Sequence, residues 1–399
     1  MPRFKSASSR RVALQAAASV AIIYAFAACA ADGKSPSPLK ETVAKATGAL
    51  VADADMKQVL DAHASLKPKP IEKLSPAEAR KQPNIADAVN SLLKQQGRST
   101  EPAALVPGVT NKDIQIDGAA GKLPARIYTP TGAGPFPMVV YFHGGGWVIA
   151  DKQVYDGGAR GIAKEANAVV LSVDYRQAPE NKFPAAWDDA LAAYRWALAN
   201  ATSINGDAKK LALTGESAGG NLAVATAIAA RDAGLQAPLH VLAVYPVAQT
   251  SLNTESEIEN AAAKPLNRAM VKWFVDHLVR TPNDTKDTRL QLVDANLRGL
   301  PPMTLINATI DPLRSDGEQL ENALKAAGGP VERKLYAGVT HEFFGTAAVV
   351  AKAREAQGYA GQRLKARSVN KLAVVTLCVR DALRAPAGHA LYRRSLRTA

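Results

Sequence analysis

Apolar positions along this chain follow two different rhythms. From residue 113 onward, short runs rich in β-branched and aromatic residues alternate with longer Ala-rich stretches. The short runs predict strands over 113–117, 123–129, 136–142, 168–173, 209–214, 239–245, 303–308 and 331–336. The stretches between them predict helices over 154–166, 184–200, 218–232, 315–327 and 344–363. Met138–Phe142, Val169–Val173 and Val241–Val244 are almost unbroken apolar runs. Strands of that kind have no solvent face and belong inside a parallel sheet covered by helices on both sides. The first two strands read as an antiparallel edge. The alternation as a whole predicts an α/β fold, a mostly parallel sheet of about eight strands flanked by helices.

Two segments break this pattern. Residues 39–104 contain helix-like stretches, Glu41–Ala64 and Ile85–Gln95, interrupted by prolines. Residues 250–300 are polar at first and then amphipathic around Met270–Leu278. An insertion of that length between two strands is better read as a cap over a site than as a free loop. No internal repeat is visible.

Composition changes the picture only at the ends. Of 399 residues 47% are hydrophobic and 21% charged, an ordinary globular balance. The net charge of +13 suggests nucleic-acid binding until it is located. Residues 1–31 contribute +4 and residues 364–399 contribute +7, which leaves +2 for residues 32–363. A near-neutral body counts against a nucleic-acid-binding face. Cys29 and Cys378 are the two cysteines, too few for a disulfide framework.

Residues 1–31 read as an export signal, with basic residues Arg3 to Arg11 before an uncharged run from Val12 to Ala31. Ala25 and Ala27, or Ala28 and Ala30, fit an A-x-A cleavage site. Phe26-Ala27-Ala28-Cys29 fits a lipobox, which would lipidate Cys29 and anchor the protein to a membrane. Ser9-Arg10-Arg11 is similar to a twin-arginine signal. A run of this length could also span a bilayer uncleaved. The expected location is outside the cytoplasm: periplasmic, lipoprotein-anchored or secreted. The basic tail at 364–399 reads either as disordered or as an extended reading frame, and no role is assigned to it.

The chemistry is concentrated in two glycine-rich motifs. Gly215-Glu216-Ser217-Ala218-Gly219-Gly220 follows an apolar run and opens a helix-forming stretch, which is G-x-S-x-G in strand–turn–helix context. The turn is so tight that side chains two residues either side of the serine would clash. It presents Ser217 as a nucleophile and sets the Ala218 N–H where an oxyanion can form. His143-Gly144-Gly145-Gly146-Trp147 directly follows a strand, and its glycines bring backbone N–H groups close to a substrate oxygen. No phosphate-loop spacing is present. His143 precedes the serine, whereas the acid and base follow it in this type of fold, so His143 reads as a loop-stabilising residue.

With these motifs, DYRQAPE (174–180), FPAAWDD (183–189), DPLRSDG (311–317) and VTHEFF (339–344) stand in order. Together they resemble the bacterial hormone-sensitive-lipase-like branch of the α/β-hydrolases, with coverage from about residue 105 to 363. Two positions depart from the family pattern. Glu216 replaces the usual Asp or Thr before the serine, and Glu342 replaces the usual Gly after the histidine. The resemblance implies an α/β-hydrolase domain over 105–363 that includes a cap insertion at 250–300. It also implies an N-terminal tether and helical cap within 32–104.

It further implies a triad. The acid belongs in the loop after strand 303–308, where Asp311 is the preferred residue and Asp316 the rival. The base belongs after strand 331–336, where His341 is the only histidine. Ser217, His341 and Asp311 would form an acyl-enzyme from an ester and hydrolyse it. The oxyanion would rest on the N–H groups of Gly145, Gly146 and Ala218. Trp147, Tyr175, Phe183 and Trp187 would either line the substrate pocket or serve as packing. Asp174, Arg176 and Glu180 look structural.

The reading is thus a serine carboxylic-ester hydrolase for short- to medium-chain acyl esters. No cofactor or metal and no nucleic-acid partner are expected, and no oligomeric state is implied. Deacetylation or amide cleavage by the same triad is an alternative. So is a non-catalytic ligand-binding role, though relatives of that kind lose the histidine that is present here.

Overall fold

The computed structural model describes residues 51–368; the expected export signal at 1–31, the start of the Glu41–Ala64 stretch and most of the basic tail lie outside them. Eight strands form one sheet: β1 (Val109–Gly118), β2 (Gly121–Pro130), β3 (Phe136–Phe142), β4 (Val169–Val173), β5 (Gly206–Glu216), β6 (Val241–Val244), β7 (Met303–Ile310) and β8 (Val331–Thr340). Their order across the sheet is β1-β2-β4-β3-β5-β6-β7-β8. β1 and β2 form an antiparallel hairpin, and β2 pairs antiparallel with β4. All later pairs are parallel.

Burial along the strands follows the apolar pattern. Every residue of β4 and β6 is buried, whereas β1 at the edge is mostly exposed. The major helices are α1 (Ala54–Ser65), α2 (Ile85–Gln95), α3 (Asp156–Ala166), α4 (Ala185–Asn200), α5 (Ala218–Asp232), α6 (Arg268–Leu278), α7 (Arg314–Ala326) and α8 (Ala351–Ser368). Helices α1, α2, α3 and α8 pack on one sheet face, around Val139, Tyr141 and Val170. Helices α4, α5 and α7 pack on the other, around Val140, Phe142 and Leu171.

The helices begin where side chains supply the missing acceptors. Asn84 and Asp87 form a reciprocal capping box at the start of α2. The buried positions of α2 are Ile85, Ala88, Val89, Leu92 and Leu93, one apolar stripe at helical spacing. Asn267 caps α6 through the Met270 amide. The two irregular segments of the sequence meet, because Trp273 of α6 donates through Nε1 to the Leu74 carbonyl at 3.2 Å. Arg80 ties the N-terminal part to the body, donating to the Val148 and Ala178 carbonyls and pairing with Glu180.

Two predicted helices change shape. Within the described residues the first one starts at Ala54, because Asp53 donates its amide to Gly338 O at 2.8 Å and pairs with Lys352. The helix expected over 344–363 is instead a 3₁₀ turn, Phe343–Thr346, followed by α8 from Ala351. Phe343 and Phe344 are both fully buried in that turn. Gly345 meanwhile lies against Gly157 of α3.

Candidate active site

Ser217 sits between β5 and α5 with φ 58° and ψ −119°, a strained backbone for a non-glycine residue. Its amide donates to Val244 O at 2.9 Å. The turn needs its glycines for space: a Cβ on Gly219 would stand 1.9 Å from Phe142 O. The strain at Ser217 is held by β3, β5 and β6 together and not by the loop alone.

The ends of β7 and β8 bring the other two groups to this serine. His341 Nε2 lies 3.0 Å from Ser217 Oγ, and His341 Nδ1 lies 2.8 Å from Asp311 Oδ2. Asp311 is fully buried, and its other oxygen accepts from the Leu313 amide at 2.8 Å. Asp316, the rival acid, turns away and accepts from the Ala248 and Gln249 amides. Burial raises the Asp316 carboxyl to about 7. Burial alone would lower the pKa of His341, but the attraction and hydrogen bond of Asp311, then the charges of Glu342 and Glu216, outweigh it and raise it.

The HGGGW loop lies above the serine. The amides of Gly145, Gly146 and Ala218 donate no hydrogen bond to any described residue. His143 is fully buried and stacks on Tyr175 at 4.3 Å, with Nδ1 2.8 Å from the Gly144 carbonyl. Burial lowers its pKa, which keeps it neutral. Tyr175 donates to the His143 carbonyl at 2.9 Å. Both side chains therefore hold the loop. Asp174 pairs with Lys152, and Arg176 with the buried Asp189, so these residues anchor the following turn.

Trp147, Phe183 and Trp187 are buried in one aromatic stack, with centroids 5.2 Å apart for the tryptophans and 4.9 Å for Phe183 and Trp187. Trp187 donates to Asn221 of α5 at 3.0 Å, so this wall braces the nucleophile helix. The sequence did not single out three residues that matter here. Phe274 of α6 lies over the loop, where a Cβ on Gly146 would fall 2.2 Å from its ring. Tyr141 and Tyr245 both donate to the buried carboxylate of Glu216. Burial raises Glu216 to about 7, against the pull of the two tyrosine hydroxyls. The amphipathic rhythm of 270–278 located the helix, but no local pattern tells which of its aromatic residues packs over Gly146.

A surface depression away from this site lies between the β1–β2 hairpin and α4, lined by Asp117, Asp188, Arg195 and Trp196 among others. Among the described residues no group of three His, Cys, Asp or Glu side chains is arranged to hold a metal ion.

A family model described as an alpha/beta hydrolase fold matches residues 139–345. Carboxylesterase NlhH of Mycobacterium tuberculosis is 37% identical over 280 residues, covering 68% of this chain and 88% of its own length. The chain belongs to the hormone-sensitive-lipase-like α/β-hydrolases. This hydrolase is also 31% identical over 293 residues to an ethyl acetate hydrolase of Pseudomonas putida, across 72% of this chain and 88% of that one. A solved esterase of Pyrobaculum calidifontis superposes with a TM-score of 0.70 at 32% identity, covering 77% of this hydrolase and 98% of its own chain. The hydrolase is an esterase-type enzyme whose substrates are small-molecule carboxylic esters.

Proposed function

We propose that Ser217, His341 and Asp311 carry the hydrolysis and that the substrates are short- to medium-chain acyl esters. The observation that supports this best is His341 itself, within hydrogen-bond reach of Ser217 on one nitrogen and of Asp311 on the other. His341 Nε2 takes the Ser217 proton as Oγ attacks the ester carbonyl, and Asp311 stabilises the imidazolium. The tetrahedral oxyanion is met by the Gly145, Gly146 and Ala218 amides. His341 returns the proton to the departing alcohol and leaves an acyl group on Ser217. Water, deprotonated by His341, then releases the acid.

The chain-length reading is supported by enclosure, because Ser217 is 6% exposed and Phe274 covers the oxyanion loop. It is also supported by the name of the ethyl acetate hydrolase among the relatives. The test is hydrolysis of p-nitrophenyl esters from acetate to palmitate by the enzyme and its Ser217→Ala variant. Expected is a maximum at short chains and a loss of about 10³- to 10⁶-fold in kcat for the variant. A maximum at palmitate would overturn the chain-length reading, and undiminished turnover by the variant would overturn the nucleophile.

We further propose that the enzyme is exported, on the basic and then uncharged run of residues 1–31. Membrane anchoring through Cys29 is part of this proposal. Mass spectrometry of the mature N-terminus tests both: cleavage supports export, and a lipidated Cys29 supports anchoring. A mature chain that still begins at Met1 contradicts them.

A further inference from the structure

The two positions at which this chain departs from its family are far apart in sequence, yet the fold brings them to one place. Glu216 precedes the serine and Glu342 follows the histidine. Both line one small cavity beside the catalytic centre, closed on its outer side by Ile85 and Val89 of α2, with Tyr155 and Thr346 completing the wall. The α2 residues that face it are apolar, and no lysine or arginine lines it.

The backbone at Glu342 is the outlier. It adopts φ 65° and ψ 10°, the left-handed conformation that glycine takes without steric cost and a β-carbon makes unfavourable. A carboxylate kept at a strained position next to the catalytic base points to a use for that carboxylate. The side chain is held there, since the Tyr155 hydroxyl donates to Glu342 Oε1 at 3.2 Å. Tyr155 belongs to the segment that leads into α3, so the grip comes from a different element on the same face of the sheet.

The charged and titratable groups around His341 are few. Asp311 meets Nδ1, and Ser217 meets Nε2. The Tyr245 ring lies against the imidazole, with centroids 4.5 Å apart. The Glu216 carboxyl is bonded by Tyr141 and Tyr245, and its burial favours the protonated form. Tyr155 is buried, which keeps its hydroxyl protonated and able to donate. Glu342 is only partly buried, directly follows His341 in the chain and has one tyrosine as its hydrogen-bond partner.

We propose that Glu342 is a positioning residue for the reaction, a second carboxylate held by Tyr155 beside His341 that stabilises the imidazolium formed when His341 takes the Ser217 proton. Glu342 exchanges no proton with the substrate. The proton moves between Ser217 Oγ, His341 Nε2 and the leaving or attacking oxygen, while Glu342 supplies a fixed charge. This proposal rests on the triad reading above. A negative charge beside the base raises the pH at which His341 becomes protonated, and the base works only when neutral. Removing the charge must therefore move the acid limb of the pH–rate profile to lower pH.

The test uses the full-length enzyme with Glu342→Gln, which keeps the shape, and Glu342→Gly, which also relieves the backbone. Two quantities are read. One is kcat/KM on p-nitrophenyl butyrate across pH 4.5 to 9. The other is the titration of the His341 ring by proton NMR, assigned with His341→Asn. Both variants are expected to move the acid limb and the NMR midpoint down by about one pH unit, as for loss of a nearby negative charge. A several-fold fall in plateau kcat should accompany the shift. A fall in kcat at every pH with limb and NMR midpoint unmoved would overturn the proposal, because a purely structural role predicts that result. The NMR arm needs no turnover. If no ester is hydrolysed, the triad reading fails while the midpoint still decides whether Glu342 acts on His341.

Discussion

Tyr245 links Glu216 to His341: its hydroxyl donates to Glu216, and its ring lies 4.5 Å from the ring of His341. Glu216 directly precedes Ser217, so one side chain braces both partners of the proposed proton transfer. Tyr245→Phe keeps the ring and removes one of the two hydroxyl donors to a buried carboxyl. The expected cost is about 1–3 kcal/mol of stability, with kcat changed only a few-fold. Thermal denaturation alongside kcat measures both, and an unchanged melting temperature would contradict the bracing role.

The choice between the two buried aspartates is open to direct test. Asp311→Asn preserves shape and removes the charge that orients His341, so kcat should fall by about 10⁴-fold, the loss known for the equivalent change in a serine protease triad. Asp316→Asn should lower kcat far less, since Asp316 bonds backbone amides and not the histidine. Equal losses from the two variants would contradict the assignment.

Phe274 lies against Gly146 of the HGGGW loop, where it would bound the acyl chain in the proposed reaction. Phe274→Ala should open space above Gly146 and move the preferred acyl length upward in the p-nitrophenyl ester series. It should also cost about 3–5 kcal/mol as a large-to-small change at a buried site. An unchanged chain-length profile in a folded variant would place the acyl chain elsewhere.

Stability should depend on pH through buried carboxyls under the cap. Glu257 is raised to about 8, chiefly by burial and then by the charges of Asp316 and Asp311, and its Oε2 has no hydrogen-bond partner. Its folded-state value lies above the ordinary carboxyl value of 4.5, so the folded protein holds more protons than the unfolded chain between about pH 4.5 and 8. Stability must fall as pH rises through that window. Glu257→Gln removes the titrating group, so it should raise the melting temperature at pH 8.5 relative to wild type more than at pH 5.5. Equal effects at the two pH values would contradict this.

Much of this arrangement was legible in the sequence, and the rest has physical reasons for having been hidden. Unbroken apolar runs such as Val169–Val173 could only be interior strands, and the glycines around Ser217 announced a turn too tight for side chains. Chain order singled out His341 among the histidines. Position in the loop after the strand favoured Asp311 over Asp316, and the two differ in the hydrogen-bond partners they meet across the fold. The stretch 344–363 has helical composition, but its first residues form a 3₁₀ turn in which Phe343 and Phe344 are buried and Gly345 packs against Gly157, a contact no local pattern announces. Trp147, Phe183 and Trp187 stood in motifs, yet only their mutual packing shows that they brace α5. The meeting of Glu216 and Glu342 in one cavity is a product of tertiary structure and leaves no trace in either local motif.

The central claim is that Ser217 is the nucleophile activated by His341. The most direct measurement is reaction of the enzyme with phenylmethylsulfonyl fluoride, followed by peptide mapping by mass spectrometry and assay of p-nitrophenyl butyrate hydrolysis. The account predicts one sulfonyl group per chain, located on Ser217, with activity lost in proportion to labelling and no label on Ser217→Ala. A label on another residue that tracks the loss of activity, or full labelling of Ser217 with activity retained, would contradict it.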